Sequence, residues 1–324
     1  MKGAMMARAD HVCVVAKPGE LREGLFGGIL LFVFEILPYL REKGIFPSWS
    51  IASRLYGDDP DCLVLPGVLE TAYPTEAATK SVALWTVKNR YNHVLGADWV
   101  PLAALWSTYF KVPHRINASA DEMGDLSSTL GIHYRGNDKN TNSADSNPVT
   151  YRDFSLIIQD FLKRPHSFTQ IFVATDEDAF VDHLRATVGM TVVTRGAGTF
   201  HRNLEGRKGR ALEADRAMAD CVLLSRCAAV LNTSSALSAF AKVLNADLEI
   251  FRCGASKMFN DIPYFPIAYI PVYQSDDAAV RDVLKRTLAD DWSDSPGAKK
   301  FKTPFASRPR WPRRYAFWSA LGGV

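Results

Sequence analysis

The stretch Leu130-Gly-Ile-His-Tyr-Arg-Gly-Asn-Asp-Lys139 decides how the chain is read, because an apolar strand pattern gives way there to a histidine, an arginine, a glycine and two charged groups. Side chains alternate along a strand, so His133 and Arg135 project from one face where the strand ends. A guanidinium grips phosphate through two parallel hydrogen bonds, and the pair is suited to holding an anion. An edge strand with an ordinary surface arginine has the same local look, so the reading depends on the segments that follow.

Two later segments also end on polar groups. Gln170-Ile-Phe-Val-Ala-Thr-Asp-Glu-Asp178 is an apolar strand closing on a threonine and three acids. Asp220-Cys-Val-Leu-Leu-Ser225 precedes Ala228-Ala-Val-Leu-Asn-Thr-Ser-Ser235, which delivers Ser234 and Ser235 to the start of an apolar helix at 236–244. Unpaired N–H groups and the helix dipole favour phosphate at such a start. A serine there also serves as a plain helix cap, and the two roles are compatible.

Strands read at 130–134, 170–175, 191–194, 228–231 and 247–251 alternate with helices near 151–163, 178–188, 211–224 and 236–244. That alternation predicts a parallel α/β sheet, whose ligands bind beyond the carboxyl ends of its strands. The first half opens with a strand at 11–16, the loop Gly24-Leu-Phe-Gly-Gly28 and a helix near 29–42. Strand, glycine loop and helix make the phosphate-binding half of a Rossmann unit, although the full G-x-G-x-x-G spacing is missing. Gly27 and Gly28 are expected to face the cleft between two domains.

A strand at 61–66 and helices at 76–95 and 102–110 follow. Trp85, Tyr91, Trp99 and Trp106 recur at helical spacing, which suits a core face for most of them and leaves a minority to line an acceptor groove, where sugar faces stack on aromatic rings. The polar run 117–128 reads as an interdomain linker. The expected organisation is α/β: a Rossmann-like unit over 1–120, a second over 121–295, and a tail over 296–324.

At 324 residues the chain is long enough for two domains with cores of their own. Five cysteines without repeated C-x-x-C spacing argue against a disulfide framework or a zinc site and favour a reducing cytoplasm. The start lacks a secretion pattern, and the apolar run at 27–34 is too short to span a bilayer. The tail holds seven basic residues, six interleaved aromatics and no acid, so the +3 of the whole chain leaves −4 for the rest. That mixture suits peripheral contact with anionic lipid through 299–318, and equally a tail packed back on the first domain. No motif supports nucleic-acid binding.

In order and spacing, H-x-R-x-x-D-K from His133, A-T-D from Ala174, and D-x-x-L-L-S from Asp220 with its following hydroxyl pair resemble the GDP-fucose-dependent fucosyltransferases. These comprise the core α1,6-fucosyltransferases, the rhizobial nodulation fucosyltransferases and the protein O-fucosyltransferases. The resemblance runs from Gly131 to about Leu244, with the glycine loop as its first-half counterpart. It implies two Rossmann-like domains facing a cleft, the glycosyltransferase-B type. The implied reaction moves fucose from GDP-fucose to a hydroxyl of a glycan acceptor, with inversion and without metal. The setting would be a bacterial enzyme, cytoplasmic or peripheral on the inner membrane face.

By the same resemblance Arg135 grips the β-phosphate, His133 contacts the nucleotide, and Ser234 and Ser235 contact the diphosphate. Asp220 reads guanine, whose N1–H and exocyclic amine both donate to a carboxylate. Asp176 is structural or lies near the sugar; Asp176-Glu177-Asp178 also has the D-x-D form that chelates a cation in another glycosyltransferase class. Asp138, Lys139 and Asp145 are the acceptor-side candidates for orienting groups or a base. The core enzymes carry an acid four positions after the motif lysine, where this chain has Ser143. Two other readings stay open: the same fold with another nucleotide sugar, and a non-catalytic nucleotide-sugar or glycan-binding protein. The basic, glycine-rich run at 195–210 is read either as a lid or as a solvated loop.

Overall fold

The computed structural model describes residues 11–17, 24–53, 55–56, 63–84, 98–136, 146–165, 167–196, 210–259, 262–296 and 298. Asp138, Lys139, Ser143 and Asp145, the loop 197–209, Trp85, Tyr91 and the tail from 299 onward lie outside the described residues.

The first unit is a four-stranded sheet in the order β3-β2-β1-β5, from β1 (Val12–Ala16), β2 (Ser48–Ala52), β3 (Leu63–Leu65) and β5 (Lys80–Ala83). β1 pairs in parallel with both β2 and β5, and β3 closes the edge antiparallel. A small ribbon joins β4 (Glu70–Thr71) to β6 (Phe110–Lys111). The expectation of one helix over 76–95 is corrected here, because 76–79 form no helix and Lys80–Ala83 are a strand beside β1. The segment is short, and Val82 and Leu84 alternate inward at strand spacing, a signal that the aromatic pattern further on masks. β2 has no counterpart in the sequence reading.

The helix after β1 starts earlier than expected, as a π-type turn over Leu25–Leu30 that runs into α1 (Leu31–Lys43). Its side chains are apolar nearly all round and buried, as suits a helix enclosed by other elements. Gly44, at φ 65°, ends it in the left-handed conformation. The helices α2 (Trp99–Tyr109) and α3 (His114–Asp121) follow, so the first part of the expected linker is helical. There Asn117 and Asp121 are hydrogen-bonded to Arg226.

The second sheet has the order β11-β10-β7-β8-β9 and is parallel throughout. Its strands are β7 (Thr129–Tyr134), β8 (Gln170–Thr175), β9 (Val192–Thr194), β10 (Ala229–Asn232) and β11 (Glu249–Arg252). In chain order this is the doubly wound Rossmann arrangement, whose direction of winding reverses between β7 and β10. On one face α4 (Tyr151–Phe161), α5 (Asp178–Thr187) and α8 (Ala278–Thr287) build a core with Ile132, Tyr134, Val173 and Leu231. On the other lie α6 (Arg210–Arg226) and α7 (Ala236–Leu244), and this core is continuous with that of the first unit. Phe240 of α7 meets Phe26, Phe34 and Trp106 at ring-centroid distances of 5.7, 6.2 and 5.9 Å, so α7 joins the two units. The fold is α/β with two Rossmann-like sheets, as the sequence led one to expect.

Gly131 sets how closely α6 approaches β7. A Cβ there would lie 2.9 Å from Val230, 3.0 Å from Cys227 and 3.1 Å from Leu224. Overpacking of this kind costs about 1–3 kcal/mol. Gly131→Ala is expected to lower the unfolding free energy by that amount, read as a lower urea midpoint at an unchanged denaturant slope when unfolding is followed by tryptophan fluorescence. An unaltered midpoint would mean that the contact relaxes at no cost.

No helix among the described residues is long and apolar enough to cross a membrane.

Candidate active site

The carboxyl ends of β7 and β10 adjoin where the winding reverses, which is where open α/β sheets bind ligands. Arg135 follows β7 directly. Its backbone N–H donates to the Thr233 hydroxyl at 2.9 Å, tying it to the end of β10. Its Nε lies 3.1 Å from Asp176 Oδ2, and the Asp176 Oδ1 accepts the Gly136 N–H at 3.1 Å. Asp176 therefore fixes the direction in which the guanidinium leaves the strand. A Cβ on Gly136 would fall 2.1 Å from the Glu177 carboxylate, so a larger residue there displaces that side chain. Glu177 in turn accepts a hydrogen bond from the Tyr151 hydroxyl at 2.7 Å. The three acids of the A-T-D segment are thus built into the scaffold, with Asp178 opening α5.

Ser234 and Ser235 are buried at the start of α7, and Ser235 occupies the cap position with no side-chain hydrogen bond to the helix. The glycine loop lies alongside: a Cβ on Gly27 would sit 3.5 Å from that of Ala236. Gly28 is buried and spends its N–H on Gly24 O at 2.9 Å, so its part is to close the turn. Buried Tyr56 of the first unit takes the Leu25 N–H on its hydroxyl. Burial raises its pKa, while that N–H and the nearby charge of Arg135 act in the opposite sense. Arg135 therefore stands at the boundary between the two units.

His133 and Asn232 are register partners on β7 and β10. His133 is 4 % exposed, and burial followed by the Arg135 charge pushes its pKa down to about 3, so the imidazole is neutral at physiological pH. Asp220 reaches the same level from above the sheet. It lies one turn before Leu224, which packs on Gly131, and His133 lies two residues beyond Gly131 on the same face. One helical turn and two strand residues both rise about 5–7 Å. The thiol of Cys221 lies 3.4 Å from Leu237 O, which puts this turn of α6 beside the first turn of α7.

Burial lifts the Asp220 carboxyl to about 6, against the charges of Arg195 and Arg216 and the hydrogen bond from Arg195, which is 3.5 Å away. Arg195 also donates to Ser119 of α3 at 2.8 Å, and Arg216 holds the carbonyls of Arg195 and Gly196 at 2.8 and 2.6 Å.

One more support was invisible in the sequence. Arg252, at the end of β11, is fully buried against Asp291, with Nη2 donating to Oδ2 at 2.7 Å and Nη1 donating to Oδ1. Asp291 also accepts the Ser256 N–H at 2.8 Å, and Arg252 donates to Ile270 O and Gly254 O. This clamp holds the turn after β11 against α7, where a Cβ on Gly254 would come 3.3 Å from the Ser234 nitrogen. The two partners lie 39 residues apart, and neither belongs to a recognisable motif.

Among the described residues no three His, Cys, Asp or Glu side chains converge to hold a metal ion. His133, Arg135, Asp176, Asp220, Ser234 and Ser235 gather at one end of the second sheet, with Gly27 beside them.

No family model and no characterised protein sequence matches the chain. Among solved structures it is similar to the NodZ α-1,6-fucosyltransferase of Bradyrhizobium, at 16% identity and a TM-score of 0.45 over 73% of this chain and 92% of that one. A NodZ crystal soaked with GDP-fucose gives 16% and 0.43 over 73% and 93%. A mutant of Arabidopsis thaliana FUT1 in complex with GDP gives 9% and 0.44 over 77% and 72%. A family 9 glycosyl transferase from Veillonella parvula gives 11% and 0.42 over 92% and 97%.

Proposed function

We propose that the protein is an inverting glycosyltransferase that moves fucose from GDP-fucose to a hydroxyl of a glycan. The observation that carries the reading is Arg135, held by Asp176 at a sheet switch point beside the Ser234–Ser235 start of α7. Breaking the bond between C1 and the β-phosphate oxygen leaves the electron pair on departing GDP, and the sugar passes through an oxocarbenium-like state. A fixed cation and helix N–H groups stabilise the charge that develops on the diphosphate. The acceptor oxygen attacks C1 from the opposite face, and its proton passes to a carboxylate or to the leaving diphosphate. Asp138, Lys139 and Asp145 are the acceptor-side groups on this reading.

The guanine end falls to Asp220 and His133. An ionised Asp220 accepts from N1–H and the exocyclic amine, and a neutral imidazole donates to O6 or N7. Metal independence is part of the proposal, because Asp176 and Glu177 are engaged with Arg135, Gly136 and Tyr151. The bond-breaking step is then left to cationic side chains and helix dipoles.

The test is GDP-fucose turnover followed by proton NMR, with and without excess chelator. Slow release of GDP and fucose that persists in chelator is expected. With an acceptor present, the glycoside should have the anomeric configuration opposite to the donor's. Turnover of a uridine nucleotide sugar in place of GDP-fucose would contradict the assignment.

A further inference from the structure

Two buried polar side chains at the switch point have atoms without partners. Asn232 is 1 % exposed, and neither its Oδ1 nor its Nδ2 has a hydrogen-bond partner among the described residues. His133 Nδ1 is orphaned in the same way. The two residues are register partners on adjacent parallel strands, so their side chains leave the same face at the same level. Asp220 descends toward that level from α6.

Buried polar groups in folded proteins are nearly always paired, and an amide with both ends unpaired stands out. Asn232 closes a strand whose other residues, Ala229, Val230 and Leu231, are fully buried and apolar. A leucine would fit that pattern without a desolvation cost.

We infer that Asn232 is a base-contacting residue, hydrogen-bonding through its amide to the O6/N7 edge of guanine alongside His133. The inference rests on the donor reading above and deepens it. Guanine presents donors at N1 and N2 and acceptors at O6 and N7. With Asp220, an acceptor only, on the donor edge, the acceptor edge faces the two unpaired donors, Nδ1–H of neutral His133 and Nδ2–H of Asn232. An amide can turn its oxygen toward the adenine amine, so Asn232 adds affinity for the base, while discrimination against adenine falls to Asp220, an acceptor that adenine's N1 and C2 leave unpaired. Specificity of this kind comes from buried groups left unpaired by the wrong ligand.

The experiment compares wild type with Asn232→Leu and Asn232→Ala, measuring GDP and ADP binding by calorimetry and melting without ligand. For the leucine variant we expect a melting temperature equal to or above that of wild type. Its GDP affinity should fall about tenfold or more, with the preference for GDP over ADP kept by Asp220. A role confined to the fold, or an amide satisfied by a buried water, predicts the reverse pattern: lower melting with unchanged GDP affinity. That result would overturn the inference. The alanine variant repeats the binding comparison without added bulk, and unchanged GDP affinity there would overturn it equally. Failure of the wild type to bind guanine nucleotides would instead overturn the donor reading on which the inference rests.

Discussion

Arg135→Ala is expected to lower the rate of GDP-fucose cleavage by about 10²–10³-fold, the usual loss when a preorganised charge-stabilising donor is removed. The fall should lie mainly in kcat, because the charge Arg135 meets grows as the C1–O bond breaks. Arg135→Lys should recover little of it. A lysine presents a point charge where the strand end, Asp176 and Gly136 orient a planar fork. Folding should be nearly unaffected, since the side chain is partly exposed at the unit boundary and its backbone tie to Thr233 remains. Single-turnover cleavage, with a melting curve as control, separates the outcomes. A loss confined to KM would show that Arg135 only anchors the donor.

The second large effect concerns Asp220. Asp220→Asn should weaken GDP binding by about 100-fold, because the amide loses the charge and sets an N–H against a guanine donor. The sign with pH follows from the raised pKa. With a folded-state value of about 6, the carboxyl takes up its proton as pH falls through 6, losing its charge and keeping one accepting oxygen for the two guanine donors. The ratio of wild-type to Asp220→Asn affinity for GDP should therefore be largest above pH 7 and shrink toward one below pH 5; taking the ratio cancels titration of the ligand's own phosphate.

Stability runs the other way. An acid whose pKa is raised on folding contributes stability that is fully present below its unfolded value near 3.8 and is lost as pH rises through 6. The asparagine variant should melt above wild type at pH 8 and level with it near pH 3. Equal GDP affinity for both proteins at pH 8 would remove Asp220 from the base site.

The second sheet was legible because its central strands β10, β7 and β8 are almost wholly buried and flanked by helices, so apolar runs alternating with helical periods gave both order and direction. His133, Arg135, Ser234 and Ser235 were legible for the same reason, as polar residues closing apolar strands. Asn232 sits in the same position but reads as the end of a strand; only its lack of partners in three dimensions distinguishes it. The first unit was harder. Lys80–Ala83 is four residues long and its helical-looking neighbours dominate the pattern, while β2, Ser-Trp-Ser-Ile-Ala, alternates over too few positions to stand out. The Arg252–Asp291 clamp, the Tyr56 contact with the glycine loop and the Arg195 bridge from Asp220 to Ser119 all join residues distant in the chain. No local pattern encodes such pairings.

The most direct test of the central claim is a calorimetric titration of the wild-type protein with GDP, UDP and ADP in excess chelator. The account predicts GDP binding about 100-fold or more tighter than either competitor, as a buried site that hydrogen-bonds the guanine edge requires. Preference for UDP, equal affinity for all three, or no binding of any would contradict it.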